Sequence, residues 1–433
     1  MKIDNIKNLL ELFQHRYQKK NKEDIFLKSL KRPQKEYSWE SVYLNIIKLS
    51  EEINKYINKG DRCLLVSENR PEWLISDLSI MLSGGITVPA YTTYTERDYE
   101  YIINDCTPSI LIISDKTLYS KIKTIIPKKK FIKKIIFFES IDDFDSTFHL
   151  NIDEIFKKKI SSSKDFFNLD IQRKDIACII YTSGTQGNPK GVMLSHGGIL
   201  NNCEGANLLL KEFISKIPKF LTWLPLSHSY EHTVQFVQIV VGAQVFYAES
   251  IDKLIKNMGD CSPEIMTAVP RFYQNLYQKI NSTFTKSKGL KKLLVNQTVI
   301  LGKKKLNNEK LLLSESIVNF ICEALVRKKI KRQFGGNLKA FISGGGALDY
   351  EVGSFLNAIG LPTLQGYGLT ETSPVVSCNS IKDIRVDTVG KPFMGNIVKL
   401  ANDGEILIKG ENVMQGYWKN EEETNKVLKN GWL

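Results

Sequence analysis

The segment Tyr181-Thr-Ser-Gly-Thr-Gln-Gly-Asn-Pro-Lys-Gly191 packs three glycines, three hydroxyl side chains and one lysine into eleven residues. Glycines let a backbone come close to an anion and take positive φ. Free amides in such a turn make an anion-binding concavity, and hydroxyls with the Lys190 ammonium add donors. The chemistry implied is recognition of a phosphate chain. The spacing is neither that of a Walker A loop nor that of a GxGxxG dinucleotide turn. On composition alone an ordinary surface turn accounts for the same residues, since Gly, Thr, Ser and Pro are common turn formers.

Three further segments carry chemistry-bearing residues. Leu224-Pro-Leu-Ser-His-Ser-Tyr-Glu231 contains His228, one of five histidines; a lone histidine is more often structural. Ser343-Gly-Gly-Gly-Ala-Leu348 reads equally as a tight turn between a strand and a helix. Gln365-Gly-Tyr-Gly-Leu-Thr-Glu-Thr-Ser373 sets an aromatic, hydroxyls and a carboxylate side by side. An aromatic face suits a planar base, and one carboxylate with phosphate oxygens and water suits Mg²⁺.

Together these segments resemble the motifs of the adenylate-forming superfamily, which contains acyl-CoA synthetases, luciferases and peptide-synthetase adenylation domains. The resemblance covers nearly the whole chain and is strongest from Ile176 onward. It implies that Thr182, Ser183, Gly184, Thr185, Gln186, Gly187 and Lys190 hold the ATP phosphates. It implies further that Gly345, Gly346, Ala347, Gln365, Gly366, Tyr367, Gly368 and Thr370 contact the nucleotide, with Tyr367 against adenine and Thr370 at the α-phosphate. Glu371 and Thr182 would hold Mg²⁺, and His228 would position the reacting carboxylate and α-phosphate. The catalytic set implied is His228, Thr370, Glu371 and Lys190. Two positions depart from the pattern: Gly346-Ala347 replaces a common Ala-Pro, and Gln365 stands where other branches carry Asn.

The elements that must position these residues alternate between strand and helix. Ser38–Ile57 reads as an amphipathic helix, Arg62–Ser67 as a buried strand, Pro71–Leu82 as a helix, and Gly84–Pro89 and Ile110–Ser114 as strands. Asp115–Lys174 is lysine-rich and less regular, with a strand candidate at Lys134–Phe138. Ile176–Tyr181 reads as a strand entering the phosphate loop, followed by a helix at Ile199–Leu210 and strands at Gln244–Tyr247 and Ile265–Val269. Gly289–Lys331 reads as long amphipathic helices. Strands at Ala340–Ser343 and Thr363–Gln365 flank a helix at Tyr350–Ala358, and short strands such as Gly404–Lys409 follow residue 385. Such alternation predicts an α/β fold with largely parallel sheets. The resemblance implies two packed α/β sheets with flanking helices plus a small, β-rich distorted barrel. The boundaries expected are 1–175 and 176–384 for the α/β subdomains, with a helical insert at 289–332, and 385–433 for the β-rich one.

At 433 residues the chain is long enough for a large core, and 42% hydrophobic with 25% charged residues is ordinary for a globular protein. Seven cysteines lie at scattered spacings with no CxxC pair, which argues against a zinc site or disulfide framework and for reduced, mostly buried thiols in a cytosolic protein. No apolar run approaches the ~20 residues of a membrane span. The net charge of +13 gathers at Lys128–Lys130, Lys157–Lys159, Lys303–Lys305 and Arg327–Arg332. Solvated lysine faces explain such runs; those beside the helical insert would also suit peripheral contact with an anionic inner membrane face. No aromatic–basic interleaving suggests nucleic acid, and no feature sets an oligomeric state.

The resemblance is greatest to the long-chain fatty acyl-CoA synthetase branch. It implies a ligase that activates a fatty acid with ATP and Mg²⁺ to an acyl-adenylate, then transfers the acyl group to CoA, releasing AMP and pyrophosphate. An apolar acyl channel is expected near Ser227–Phe236, Thr267–Phe272 and Gly366–Val376. The chain stops at Gly431-Trp-Leu433, before the Thr-Gly-Asp and the lysine-bearing C-terminal domain that the family resemblance leads one to expect, so weak overall turnover is expected. Alternatives are a fatty acyl-AMP ligase serving a carrier protein, and a catalytically silent acyl or nucleotide binder.

Overall fold

The computed structural model describes residue 3 and residues 5–160, 169–182 and 188–433. Two large sheets organise the chain. The seven-stranded sheet runs, edge to edge, His149–Asn151, Lys134–Phe137, Ile110–Ile113, Arg62–Val66, Ile86–Ala90, Ile176–Thr182, Lys190–Ser195. All its pairings are parallel except the last, an antiparallel hairpin with Thr182 opposite Lys190 and Tyr181 opposite Gly191. Ile110-Leu-Ile-Ile113 is buried throughout, as a parallel strand covered on both faces must be.

The nine-stranded sheet has Ala340–Ser343, Ile265–Ala268 and Lys219–Thr222 near its centre, with Thr363–Gly368 and Val375–Cys378 towards one edge. At its other edge lie Ile25–Ser29 and Glu36–Ser38, from the start of the chain. The sheets therefore interleave along the sequence. A boundary at residue 175 does not separate them: the first strands pair into the second sheet, and Ile176–Ser195 completes the first. After residue 385, Lys391–Pro392 extends the large sheet and Ile397–Leu400 with Ile406–Lys409 forms a separate hairpin.

The helix expected at Ser38–Ile57 spans Trp39–Ile53, with Ser38 as its cap: the Ser41 N–H donates to its side chain. The 289–332 region breaks into Gly289–Leu306, Leu313–Cys322, a π-helical turn Glu323–Arg327 and Lys328–Gln333. Arg327, expected within a solvated charge run, is instead buried. Its guanidinium donates to the carbonyls of Ala358 and Thr298 and to Asn319, so it serves as an internal tie. Among its described residues the Asp115–Lys174 stretch holds only short elements, such as Lys116–Ser120 and Ile152–Lys157. All seven cysteines are free and buried.

The two sheets share one core, and two buried helices run through it. Every residue of Pro71–Leu82 is buried, and so is every residue of Ser229–Val241 except the last. The second helix is unusual for a core helix, because it carries Glu231, His232, Thr233, Gln235 and Gln238. Each finds a partner. Gln235 accepts the Tyr247 hydroxyl, Gln238 donates to Thr222, Thr233 donates to the Ser373 carbonyl, and Thr267 donates to Glu231. His232 Nε2 lies 2.8 Å from Asp77 Oδ2 on the Pro71–Leu82 helix. Burial works against a charged His232 ring, yet the Asp77 carboxylate outweighs it and raises the imidazole to about 10.

The His232–Asp77 pair therefore gives stability that is fully present below the ordinary histidine range and is lost as pH rises through about 10. Asp77→Asn should lower unfolding free energy by about 3 kcal/mol near pH 7, because it leaves a buried imidazole unpaired. Urea denaturation of both proteins from pH 7 to 10 reads this. The gap between them should narrow as pH rises, and a constant gap would show that the pair is uncharged.

Candidate adenylate site

A cavity of about 570 Å³ opens where the carboxyl ends of the central strands of the large sheet meet the buried Ser229–Val241 helix. The carboxyl edge of a parallel sheet is where α/β folds collect ligands. Its polar end is made by the turn Gly344–Ala347, by Gln365–Thr370 and by His228 and Ser229. Its apolar end is made by Ala206, Leu209, Leu210, Phe220, Val234 and Val237.

His228 is the cap of the Ser229–Val241 helix: its Nδ1 accepts the Tyr230 N–H at 3.1 Å. Burial lowers its pKa, so the ring is neutral near pH 7. With Nδ1 accepting, the proton of the neutral ring sits on Nε2, which makes that atom a donor. Ser229 and Thr370 hydroxyls are 3.1 Å apart. Tyr230 anchors its hydroxyl on the Ile342 carbonyl at 3.0 Å and lays its ring against Gly344, where a Cβ would come within 2.9 Å of the ring. Gly368 is required more strictly, because a Cβ there would sit 1.8 Å from the Pro374 carbonyl oxygen.

Gln365 holds this end rigid. Its Oε1 accepts the Leu348 N–H at 2.6 Å and its Nε2 donates to the Thr388 carbonyl at 3.1 Å. One N–H and the second lone pair of Oε1 are left for a ligand. Glu231 sits behind the wall next to Thr267. Burial raises its carboxyl to about 8, so it is neutral at pH 7.

Of the residues expected from sequence, the cavity brings together His228, Gly345, Gly346, Ala347, Gln365, Gly366, Tyr367, Gly368 and Thr370. Glu371, Lys190 and Thr182 lie outside its lining. Glu371 follows Thr370 in a short 3₁₀ turn, and one of its oxygens accepts the Tyr417 hydroxyl at 2.9 Å. Lys190 lies 5.0 Å from the centre of the Tyr417 ring and pairs with Glu423 in a neighbouring polar cleft of about 510 Å³. The hydrogen bond from Lys190, with one from Lys426, holds the Glu423 carboxyl down at about 2. Thr182 faces Lys190 across the hairpin. Ser183, Gly184, Thr185, Gln186 and Gly187 lie outside the described residues.

The channel expected along Thr267–Phe272 touches the cavity only through Thr267. Pro270 starts a helix there, and Phe272 packs against Trp223 and Phe341 instead. Sequence reading missed the cavity-facing side of the His196–Leu210 helix, although Asn202, Ala206 and Leu209 recur at i, i+4 and i+7, a readable stripe. Glu423 left no local signal, and the contacts of Tyr417 with Glu371 and of Glu423 with Lys190 arise only through the fold.

The AMP-binding enzyme family matches residues 13–418. Among similar proteins, the Mycobacterium bovis long-chain-fatty-acid–CoA ligase FadD15 is 28% identical over 386 residues, covering 87% of this chain and 62% of its own length. Long chain acyl-CoA synthetase 3 of Arabidopsis thaliana is 30% identical over 429 residues, covering 92% and 64%. The chain thus spans less than two thirds of the length of these relatives. The inhibitor-bound N-terminal domain of FACL13 from Mycobacterium tuberculosis shares the fold, with a TM-score of 0.74 at 16% identity over 99% of this chain and 95% of that one. Apo MatB from Rhodopseudomonas palustris superposes with a TM-score of 0.73 at 21% identity, over 98% and 75%. A family match from residue 13 to residue 418, over a fold shared with these structures, makes this chain a member of the AMP-binding enzyme family.

Proposed function

We propose that this chain is the nucleotide- and acyl-binding part of a long-chain fatty acid–CoA ligase. The observation that carries the reading is the single cavity whose polar end joins an apolar end. An acyl-adenylate has that same profile: a purine and phosphate at one end and a hydrocarbon at the other. Its relatives of similar sequence bear long-chain acyl-CoA ligase names.

In the reaction proposed, a fatty carboxylate oxygen attacks the α-phosphorus of ATP and pyrophosphate leaves. The CoA thiolate then attacks the acyl carbonyl and AMP leaves. The protein contributes positioning and charge stabilisation. Neutral His228 offers its Nε2–H to the carboxylate or the α-phosphate, with the Thr370 and Ser229 hydroxyls beside it. Tyr367 and the Gly344–Ala347 turn form the base-binding end.

Glu371 with Thr182 would hold Mg²⁺. The fit is supported by a half-buried carboxylate with no ion pair among the described residues and with Tyr417 on one oxygen. Mg²⁺ bound together with phosphate oxygens and water would ask for only one or two protein carboxylates. When bound, it supplies charge neutralisation at the phosphate oxygens. Lys190, held by Glu423 and Tyr417, must leave that carboxylate to reach a phosphate.

Calorimetric titration of non-hydrolysable alkyl-AMP analogues tests the reading. Affinity should rise with alkyl length, by roughly 0.8 kcal/mol per buried methylene at most. Ala206→Trp, which fills the apolar end, should remove that rise and leave AMP binding intact. Affinity that ignores alkyl length would overturn the long-chain assignment. For the phosphate end, Glu371→Gln should weaken Mg·ATP about tenfold while sparing metal-free AMP; equal loss of both ligands would point to misfolding of the turn. Glu423→Gln frees Lys190 and should tighten ATP by about two- to fivefold, the scale of an exposed ion pair, and weaker binding would mean that Glu423 itself contacts the ligand.

A further inference from the structure

The Leu313–Cys322 helix and the π-helical turn after it bury one face and leave the other bare. Cys322, Val326 and Ile330 turn inward, the latter two into the cluster around Phe341 and Phe355. On the opposite side Leu313, Ile317, Phe320, Ile321 and Leu325 recur at helical spacing, with Leu312 at the cap. Leu313 is 89% exposed and Phe320 74%. A stripe of large aliphatic and aromatic side chains on one helical face marks a docking surface.

The charge around the stripe indicates what covers it. Residues 286–332 hold thirteen Lys and Arg against three Glu, a surplus of ten in a chain whose whole surplus is thirteen. Two of the three acids are spent internally, Glu315 on Lys304 and Glu323 on Arg327. Lys310 precedes the stripe and Lys328, Lys329 and Arg332 follow it, exposed and without ion pairs among the described residues. Such a surface repels its own copy. A nucleic acid would satisfy the lysines and leave the Leu/Ile stripe in water. A bilayer with anionic lipids satisfies both: acyl chains take the apolar face and headgroups take the lysines.

We propose that this helical face docks the protein peripherally on an anionic lipid surface, with Leu313, Ile317, Phe320 and Leu325 entering the headgroup–acyl boundary. No helix among the described residues is long and apolar enough to cross a membrane, so the contact lies in the interface plane. The proposal stands on the insert alone and is independent of the ligase reading.

The test is flotation of the full chain with vesicles of phosphatidylcholine containing about a third phosphatidylglycerol, and with pure phosphatidylcholine. The protein should float with the anionic vesicles, and less as salt rises. Ile317→Glu/Phe320→Glu should reduce partition about tenfold or more, and Lys328→Glu/Lys329→Glu should flatten the salt dependence. Ile251→Glu, at an isolated exposed position elsewhere, is the matched control and should float as the unmodified chain does. All five positions are exposed, and an unchanged urea unfolding midpoint in each variant confirms that the fold is kept. Absence of partition, equal partition onto uncharged vesicles, or partition unchanged in both double variants would overturn the proposal. So would a concentration-dependent dimer that Ile317→Glu/Phe320→Glu abolishes, since a second copy would then own the face.

Discussion

The two α/β layers are joined through a helix that should not, by composition, be in a core. Ser229–Val241 carries six polar or charged side chains into the buried interior, and the His232–Asp77 pair ties it to the helix of the opposite layer. An apolar helix could slide or rotate in that slot. One whose Gln, His, Thr and Glu must each meet a particular partner cannot, because every misplacement strands a buried polar group. The register of the two layers is thereby fixed, and the cavity depends on that register. Its walls come from His228 and Val237 on this helix, from Ala206 on the helix before it, and from turns at the ends of strands in the large sheet.

The polar end is stiff for a related reason. Gln365 bridges the Leu348 amide and the Thr388 carbonyl, and Tyr230 is fastened at both ring and hydroxyl. These groups shape the space around a ligand more than they contact it. The neighbouring polar region is arranged differently: Lys190, Tyr417, Glu371 and Glu423 form a partly buried chain of polar contacts, with Tyr417 between Lys190 and Glu371. On the function proposed above, a rigid base-and-acyl pocket beside an adjustable phosphate region would suit a molecule that must exchange a polyphosphate for a monophosphate in place.

Much of this was legible in the sequence, and the reasons differ by residue. Strands such as Ile110–Ile113 announce themselves because a covered parallel strand needs unbroken apolar residues. Pro71 and Pro270 mark helix starts because proline fits a first turn. The lining by Gly345, Tyr367 and Thr370 followed from motifs that sit at strand ends. Pairings across hundreds of residues were not legible. Nothing local says that Ile25–Ser29 joins a strand at Gln244–Tyr247, or that Tyr417 reaches Glu371. Arg327 looked like one more surface cation because charge patterning carries no information on which cation lies under a neighbouring helix. For Gln365, which lines the cavity, sequence gives the amide but not the Leu348 N–H and the Thr388 carbonyl that it also meets.

The buried cysteines have a use that follows from their placement. Burial pushes the thiols of Cys63, Cys106, Cys178, Cys203, Cys261 and Cys378 upward, so these six present almost no thiolate in the folded protein. An alkylating reagent can reach them only through openings of the structure. Cys63 and Cys106 sit in and behind the first sheet, Cys203 on the cavity-lining helix, and Cys378 on a strand of the large sheet. The chain thus carries its own set of internal clocks, each timing the breathing of a different layer without any added label.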